Sequence, residues 1–227
     1  MSVNMTSCAN SLPQTGHHLF LTDGGIETTL IFHEGLDLPY FAAFHLMGDK
    51  KGRDALIRYY ERYIAIAKDD GLGFILESPT WRASADWGGK LGYTRDAIAA
   101  VNRHAIELMH ALKAKHESST TPIVISGCVG PRGDGYDPGQ VMSVAQAEAY
   151  HEHQISAFAE AGADMATAIT MTNSNEARGI GAAAAQAGLP VAISFTLRPT
   201  DDCQLARRLR RPSPRSIRPP PAILPTT

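Results

Sequence analysis

Short apolar runs alternate with longer segments of helical periodicity between His18 and Thr196. The runs have the length of strands, and we place them at 18–22, 73–77, 122–126, 164–170 and 189–196. Strands that alternate with helices in this way form βαβ units, in which neighbouring strands of the sheet run parallel. The sequence therefore predicts an α/β domain built on a parallel sheet.

Helix signals fill the gaps between these runs. Thr94 is a suitable N-cap, and both Ser143–Gln146 and Asn173–Glu176 fit the capping-box pattern. Apolar residues also recur at helical spacing in the first of the gaps. The predicted helices cover 54–69, 94–115, 143–161 and 173–188.

Five parallel strands fit either an open doubly wound sheet or part of a (β/α)8 barrel, which typically takes about 250 residues. Polar or glycine-rich segments follow four of the five runs, at 23–25, 77–80, 127–131 and 170–174. Active sites of (β/α)8 barrels are built at the carboxyl ends of the strands. This pattern favours a partial TIM barrel with about five of the eight β/α units.

The thirty residues from Arg198 to Thr227 differ from the rest of the chain. They hold seven of the fourteen prolines, seven arginines, no lysine and two aspartates, whereas the whole chain has a net charge of −2. Such a composition leaves too little apolar surface to offset the entropy lost on ordering. We therefore expect a flexible extension at 1–16, one domain at 17–197 and a disordered tail at 198–227.

Composition also bounds the class of protein. The small net charge gives no reason to expect a nucleic-acid partner, and no apolar run reaches the ~20 residues that span a membrane. The segment Met1–Gly16 lacks the apolar centre of a signal peptide. We expect a soluble, cytoplasmic protein.

The segment Asp23-Gly24-Gly25 is a candidate site at the end of the first run. The carboxylate of Asp23 could orient a substrate amine, with glycines that let the backbone come close. The same residues also suit a tight turn in which Asp23 caps the following helix, and composition alone favours that turn.

Other reactive residues have simpler explanations. The spacing of His151 and His153 places them on different faces of a helix, which does not suit a shared metal. Cys128 has no base near it in sequence and is more typical of a small buried residue. Glu77 could act as a general base, whereas capping explains the position of Glu176.

Six segments together resemble the homocysteine S-methyltransferase family, in its order and spacing over 17–197. The resemblance implies a (β/α)8 barrel that transfers a methyl group to the sulfur of homocysteine, giving methionine, with zinc holding the thiolate. It implies a substrate site at Asp23, Gly24, Gly25 and Thr80, and it leaves S-methylmethionine, betaine and S-adenosylmethionine open as methyl donors. The segments are 21–30, 77–84, 126–131, 161–164, 175–177 and 191–196.

The chain departs from the family in its cysteines. The family's zinc is held by one cysteine of an Asn-Cys motif and two of a Gly-Gly-Cys-Cys motif, and neither motif occurs here. Cys8, Cys128 and Cys203 lie elsewhere, and Ile169 stands where the family often has Glu. We therefore expect no bound zinc and no methyl transfer. An aldolase-like barrel enzyme and an amino-acid-binding fragment without turnover remain as alternatives, although no strand end carries a Schiff-base lysine.

The family pattern also breaks off at one point. After Leu197 the family tends to read Glu-Thr-Asp-Gly-Arg-Leu-Pro-Thr-Gly, whereas this chain reads Arg198-Pro-Thr-Asp-Asp-Cys-Gln-Leu-Ala206. Synonymous codons can be chosen for this segment so that translation from the third base of the Leu197 codon gives all nine family residues. We infer a single-base frameshift at this boundary, which also explains the arginine-rich tail without a nucleic-acid partner.

Overall fold

The computed structural model describes residues 12–197, and these contain one sheet of five parallel strands. The strands are β1 Phe20–Thr22, β2 Gly73–Glu77, β3 Ile123–Val129, β4 Met165–Met171 and β5 Val191–Phe195. The helices are α1 Ile26–Thr28, α2 Lys50–Asp69, α3 Ala85–Lys90, α4 Arg95–His116, α5 Val144–Glu160 and α6 Ser174–Gln186.

The strand order decides between the two predicted architectures. The strands lie in the order β1-β2-β3-β4-β5, so that each is paired with its neighbour in sequence. In a doubly wound sheet the order in which strands are added reverses at a switch point. When every strand is added on the same side, right-handed crossovers place all the helices on one face of the sheet. The fold is therefore a half-barrel, which confirms the partial (β/α)8 barrel.

The register brings the carboxyl ends of four strands to one edge. Thr22 pairs with Ile75, and Glu77 pairs with Ser126. Further along the sheet, Val129 of β3 pairs with the β4 residue Ala168. Loops that leave these strands therefore start side by side and can share one cleft.

Two of the predicted helix caps are confirmed. The Thr94 side chain accepts a hydrogen bond from the backbone of Ala97 and begins α4. Ser143 and Gln146 form a complete capping box at the start of α5. The predicted start of α2 at Asp54 was wrong, because the helix begins at Lys50 after the N-cap Asp49. Its first turn is polar and therefore does not extend the apolar stripe from which the start was predicted.

The second predicted capping box forms only in part. The Asn173 side chain accepts hydrogen bonds from the backbone of Asn175 and Glu176 and begins α6. The Glu176 side chain does not return to the backbone of Asn173. It turns inward instead, to His151 and the backbone of Arg132.

The core lies between the helices and the sheet. Large side chains from four helices are fully buried there, namely Tyr60, Ile64, Ile106, Phe158 and Ile180. No helix among residues 12–197 is both long and apolar enough to cross a membrane. The predicted tail at 198–227 and most of the predicted extension lie outside the described residues, and within 12–16 the segment Pro13–Thr15 forms a 3-10 turn.

Candidate functional site

A cleft of about 590 Å³ opens at the carboxyl edge of the sheet. The loops that follow β1, β2 and β3 contribute to its walls, together with residues of β4 itself. Four acidic side chains line it, namely Asp23, Glu27, Glu77 and Asp134, together with the aromatic side chains of Phe41, Tyr60, Trp81 and Tyr136. The cleft lies where the polar segments of the sequence predicted a site.

Asp23 lies in this cleft directly after β1 and is held by a residue of α2. The hydroxyl of Tyr59 donates to Oδ2 of Asp23 over 2.8 Å, and it also lies 2.9 Å from the carbonyl oxygen of Gly24. Burial raises the pKa of Asp23 to about 6, against the opposing effect of the Tyr59 hydrogen bond. Asp23 does not cap α1, because the N-cap residue of this helix is Gly25 and no side chain caps it, so the capping alternative was wrong.

Gly24 and Gly25 also line the cleft, as expected. A Cβ atom at Gly24 would lie 2.6 Å from the hydroxyl oxygen of Tyr63, which is too close for any side chain. The absence of a side chain at Gly24 therefore lets α2 pack against the loop after β1. That packing is what places Tyr59 beside Asp23.

Two further carboxyl groups face the same cleft. Burial raises the pKa of Glu27 to about 7 and that of Glu77 to about 8. The negative charge of Asp23 raises both values further, and hydroxyl groups of Ser126 and Thr167 oppose the shift at Glu77 through hydrogen bonds. The cleft therefore holds three acids that change charge between about pH 6 and pH 8.

One cation balances part of this charge. Arg82 is only 4% exposed, and its guanidinium carbon lies 4.0 Å from the ring centre of Trp81 and 3.7 Å from that of Trp87. It donates to the carbonyl oxygen of Gly133 over 2.8 Å and to Oδ2 of Asp134 over 3.1 Å. Arg82 thus fastens the loop between β3 and α5 to the loop after β2, in a stacked geometry that suits a planar guanidinium.

Aromatic side chains and strained backbone mark the rim. Phe41 and Tyr136 line the cleft although they are 50% and 72% exposed. Tyr40, Phe41 and Thr170 adopt a left-handed backbone, each with φ of 57°. Such strain in residues other than glycine persists only where neighbours enforce it, and it is common at ligand sites. At Thr170 the neighbour is Trp81, whose Nε1 donates to the Thr170 hydroxyl over 3.0 Å.

Thr80 lies behind the wall of the cleft. It is fully buried and is not among the described residues that line the cleft. Its hydroxyl donates to the carbonyl oxygen of Cys128 over 2.7 Å and accepts from Ser78, also over 2.7 Å. Thr80 therefore joins β3 to the loop after β2.

Cys128 lines the cleft but is poorly suited to act as a nucleophile. Burial raises its pKa well above the ordinary value, and the nearby charges of Glu77, Glu27 and Asp23 raise it further. A nucleophilic cysteine needs the thiolate form, which such surroundings disfavour.

The remaining candidates lie elsewhere in the domain. His151 is buried and its Nε2 lies 2.9 Å from Oε1 of Glu176, whereas His153 is exposed. The same Glu176 oxygen accepts from the backbone of Arg132 over 2.7 Å. Glu176 therefore supports the loop between β3 and α5 rather than the cleft.

The described residues do not fit the zinc ion that the resemblance implies. No group of three or more His, Cys, Asp or Glu between residues 12 and 197 is arranged to hold a metal. A catalytic zinc site usually has three protein ligands, and Cys128 is the single cysteine in this range. Cys8 and Cys203 lie outside the described residues.

Sequence reasoning missed three residues of the site, namely Glu27, Tyr59 and Arg82. Glu27 and Arg82 stand inside the segments that carry the family resemblance, but no spacing rule links them to Asp23. In the sequence, Tyr59 resembles one more apolar position of the helical stripe of α2. Only the packing of α2 against the first loop shows that its hydroxyl meets Asp23.

The sequence profile described as Homocysteine S-methyltransferase matches residues 20–210 of the chain. The chain therefore belongs to the homocysteine S-methyltransferase family, a family of methyltransferases, and the predicted resemblance is confirmed. No curated protein matches the chain at a significant level.

Solved structures support the fold. The metallated form of the homocysteine methyltransferase MmuM from Escherichia coli is 20% identical with a TM-score of 0.64, and the match covers 84% of this chain and 67% of that one. The oxidized form is 19% identical with a TM-score of 0.67, over 84% of this chain and 66% of that one. The chain thus spans about two thirds of the length of that enzyme, and at this identity the likeness concerns the fold.

Proposed function

We propose that the cleft binds homocysteine and that residues 17–197 are the amino-acid-binding part of a homocysteine S-methyltransferase. The observation that carries the proposal is the carboxylate of Asp23, held by Tyr59 at the end of β1 and directed into a cleft lined by further acids. An ammonium group is the part of an amino acid that such a carboxylate binds best. Family membership supplies homocysteine as the particular amino acid.

The geometry assigns roles in binding. Asp23 accepts from the ligand's ammonium group, and the backbone at Gly24 and Gly25 forms the adjoining wall. The aromatic rim of Phe41, Trp81 and Tyr136 covers the apolar carbons of the ligand and excludes water. Thr80 supports this wall from behind and is left out of the ligand contacts.

We also propose where the family's reaction takes place and which partners it needs. We propose that the family's reaction takes place in the cytoplasm, with homocysteine and a methyl donor as small-molecule partners and methionine as the product. For this chain we propose the homocysteine-binding part of that role, without a nucleic-acid or membrane partner. The acids and aromatic rings of the cleft suit each of the three donors that the sequence leaves open, and they favour none. No lysine is among the cleft residues in the described part of the chain, which gives no support to the aldolase alternative.

Isothermal titration calorimetry of the full chain with reduced L-homocysteine tests the proposal. We expect D23N to lower the affinity at pH 7.5 by about tenfold to a hundredfold, because a hydrogen bond to a charged partner contributes roughly 1.5–3 kcal/mol. D37N is the matched control, since Asp37 is exposed and lies outside the cleft. Wild-type protein that binds no homocysteine, or D23N that binds as the wild type does, would contradict the proposal.

Binding should also depend on pH with a defined sign. Asp23 binds an ammonium group only when it is ionised, and its pKa is about 6. The contribution of Asp23 to the affinity, measured as the difference between wild type and D23N, should therefore fall as the pH drops below about 6. The ligand's own amine stays protonated throughout this range, so the fall reports on the protein.

We further propose that the boundary at Leu197 marks a frameshift and that the chain after it is read out of the family's frame. The support comes from the nine family residues that one fixed offset restores. Sequencing of the coding DNA and the transcript across Leu197 tests it, and an undisturbed frame in both would contradict it.

A further inference from the structure

Glu77 is a partly buried acid of the cleft, and one of its carboxyl oxygens is unpaired. Its Oε2 atom is buried and has no hydrogen-bond partner among the residues that the structure describes. Leaving a buried carboxyl oxygen unpaired costs free energy. An empty acceptor of this kind in the wall of a cleft indicates that a ligand group completes it.

The position of Glu77 relative to Asp23 shows which part of a ligand it meets. β1 pairs with β2 so that Thr22 lies opposite Ile75, which places the residues after Thr22 beside the end of β2. Both side chains line the same cleft, and the charge of Asp23 raises the pKa of Glu77. Asp23 and Glu77 therefore face one ligand site.

The charged groups around Glu77 leave room for one more cation. Asp23 and Glu27 face it from the first loop, and the thiol of Cys128 faces it from β3. The one cation of the described wall, Arg82, acts on Glu27 and is held by Asp134. An entering positive charge therefore gains most beside Asp23 and Glu77.

We propose that Glu77 is a second acceptor for the ammonium group of the amino acid, beside Asp23. This inference rests on the proposed function and assigns one more contact within the same site. An ammonium group has three N–H donors, and Oδ2 of Asp23 already accepts from Tyr59, so a second carboxyl group in the cleft offers an acceptor for one of the remaining donors. Binding removes the proton of Glu77 to solvent and leaves an ammonium–carboxylate pair.

The proton that Glu77 releases on binding can be counted in the wild-type protein, without any variant. Glu77 is mostly protonated at pH 7, since burial raises its pKa to about 8. Homocysteine binding at pH 7 should release roughly one proton, and most of that release should vanish at pH 9 because Glu77 is then already ionised. Calorimetry in two buffers of different ionisation enthalpy counts the protons at each pH.

The variant E77Q tests which group releases the proton. We expect it to lose most of the proton release at pH 7 and to bind homocysteine about tenfold more weakly at pH 8.5, where the wild-type acid is ionised. E107Q is the matched control, because Glu107 is exposed on α4 and lies outside the cleft. Circular dichroism establishes that each variant is folded.

A second ligand separates recognition of the ammonium group from recognition of the rest of the molecule. 4-Sulfanylbutanoate is homocysteine without its amino group, so it should bind weakly, release no proton and respond equally in wild type and E77Q. Wild-type protein that binds homocysteine without proton release, or E77Q that keeps the release, overturns the role of Glu77 while homocysteine binding stands. Wild-type protein that binds no homocysteine overturns the proposed function, and this inference with it.

Discussion

The hydroxyl group of Tyr59 lies 2.8 Å from Oδ2 of Asp23, and the Tyr59 side chain is fully buried. Burial and the charge of Asp23 raise the pKa of Tyr59 far above its ordinary value, so the hydroxyl remains a donor at any physiological pH. One helix residue thus fixes the orientation of the carboxylate on which the candidate site depends. This contact joins the packing of α2 to the chemistry of the cleft.

Replacement of Tyr59 by Phe should make Asp23 harder to ionise. The lost hydrogen bond stabilised the charged carboxylate, so the pKa of Asp23 should rise above about 6. The pH at which homocysteine binding sets in should shift upward by the same amount, and stability should fall by about 1 kcal/mol. Calorimetric titrations between pH 5 and pH 8 measure the shift. Y40F is the control, because Tyr40 is half exposed and lies outside the cleft wall, and an unmoved onset in Y59F would contradict the prediction.

The acids of the cleft should make the domain less stable as the pH rises. Glu77 has a folded-state pKa of about 8, above the value near 4.5 that it has when unfolded. The folded state therefore binds more protons between these values, and stability is highest below about pH 4.5 and is lost as the pH rises through 8. The same sign holds for Asp23 and Glu27.

The variant E77Q isolates the contribution of one acid to that slope. At pH 5 its urea midpoint should lie close to that of the wild type, and at pH 8 it should be more stable by about 3–4 kcal/mol. Parallel stability curves for the two proteins would contradict the assignment, and E107Q should follow the wild type. Greater stability together with weaker ligand binding is expected of a residue kept for function.

Much of the architecture follows from local sequence signals. The strand Gly73–Glu77 was predicted with its observed bounds, because a buried parallel strand is a short apolar run. The start of α4 followed from Thr94, whose side chain caps the helix through a contact three residues away. Signals of this kind lie within a few residues of the element that they define, and a single sequence contains them.

The composition of the cleft does not follow from such signals. Asp23 and Tyr59 are 36 residues apart, and nothing in either segment encodes their contact. Glu176 fits a local capping pattern, yet the buried His151 and the backbone of Arg132 draw its side chain inward. In both cases a tertiary contact decides the role of the residue, and the local pattern is compatible with more than one outcome.

Loss of the Glu176 carboxylate should destabilise the domain. The variant E176A would leave the backbone N–H of Arg132 and the ring of His151 without their present partner in the interior. We expect a loss of about 2–4 kcal/mol, because unpairing buried polar groups costs more than a surface change. Urea denaturation measures it, with E152A on the exposed face of α5 as the control. A loss no larger than that of E152A would restore the simple capping interpretation of Glu176.

The chain should not retain zinc. We expect the full chain, purified without a tag and dialysed against a weak chelator, to retain far less than one zinc per chain. Among residues 12–197 the cleft supplies one cysteine, and its thiol has a raised pKa, whereas zinc binding requires the thiolate. Elemental analysis by mass spectrometry measures the zinc content, and C128S is measured in parallel. About one tightly held zinc in the wild type would contradict the prediction. Its loss in C128S would then identify Cys128 as a ligand, with the remaining ligands outside the described residues.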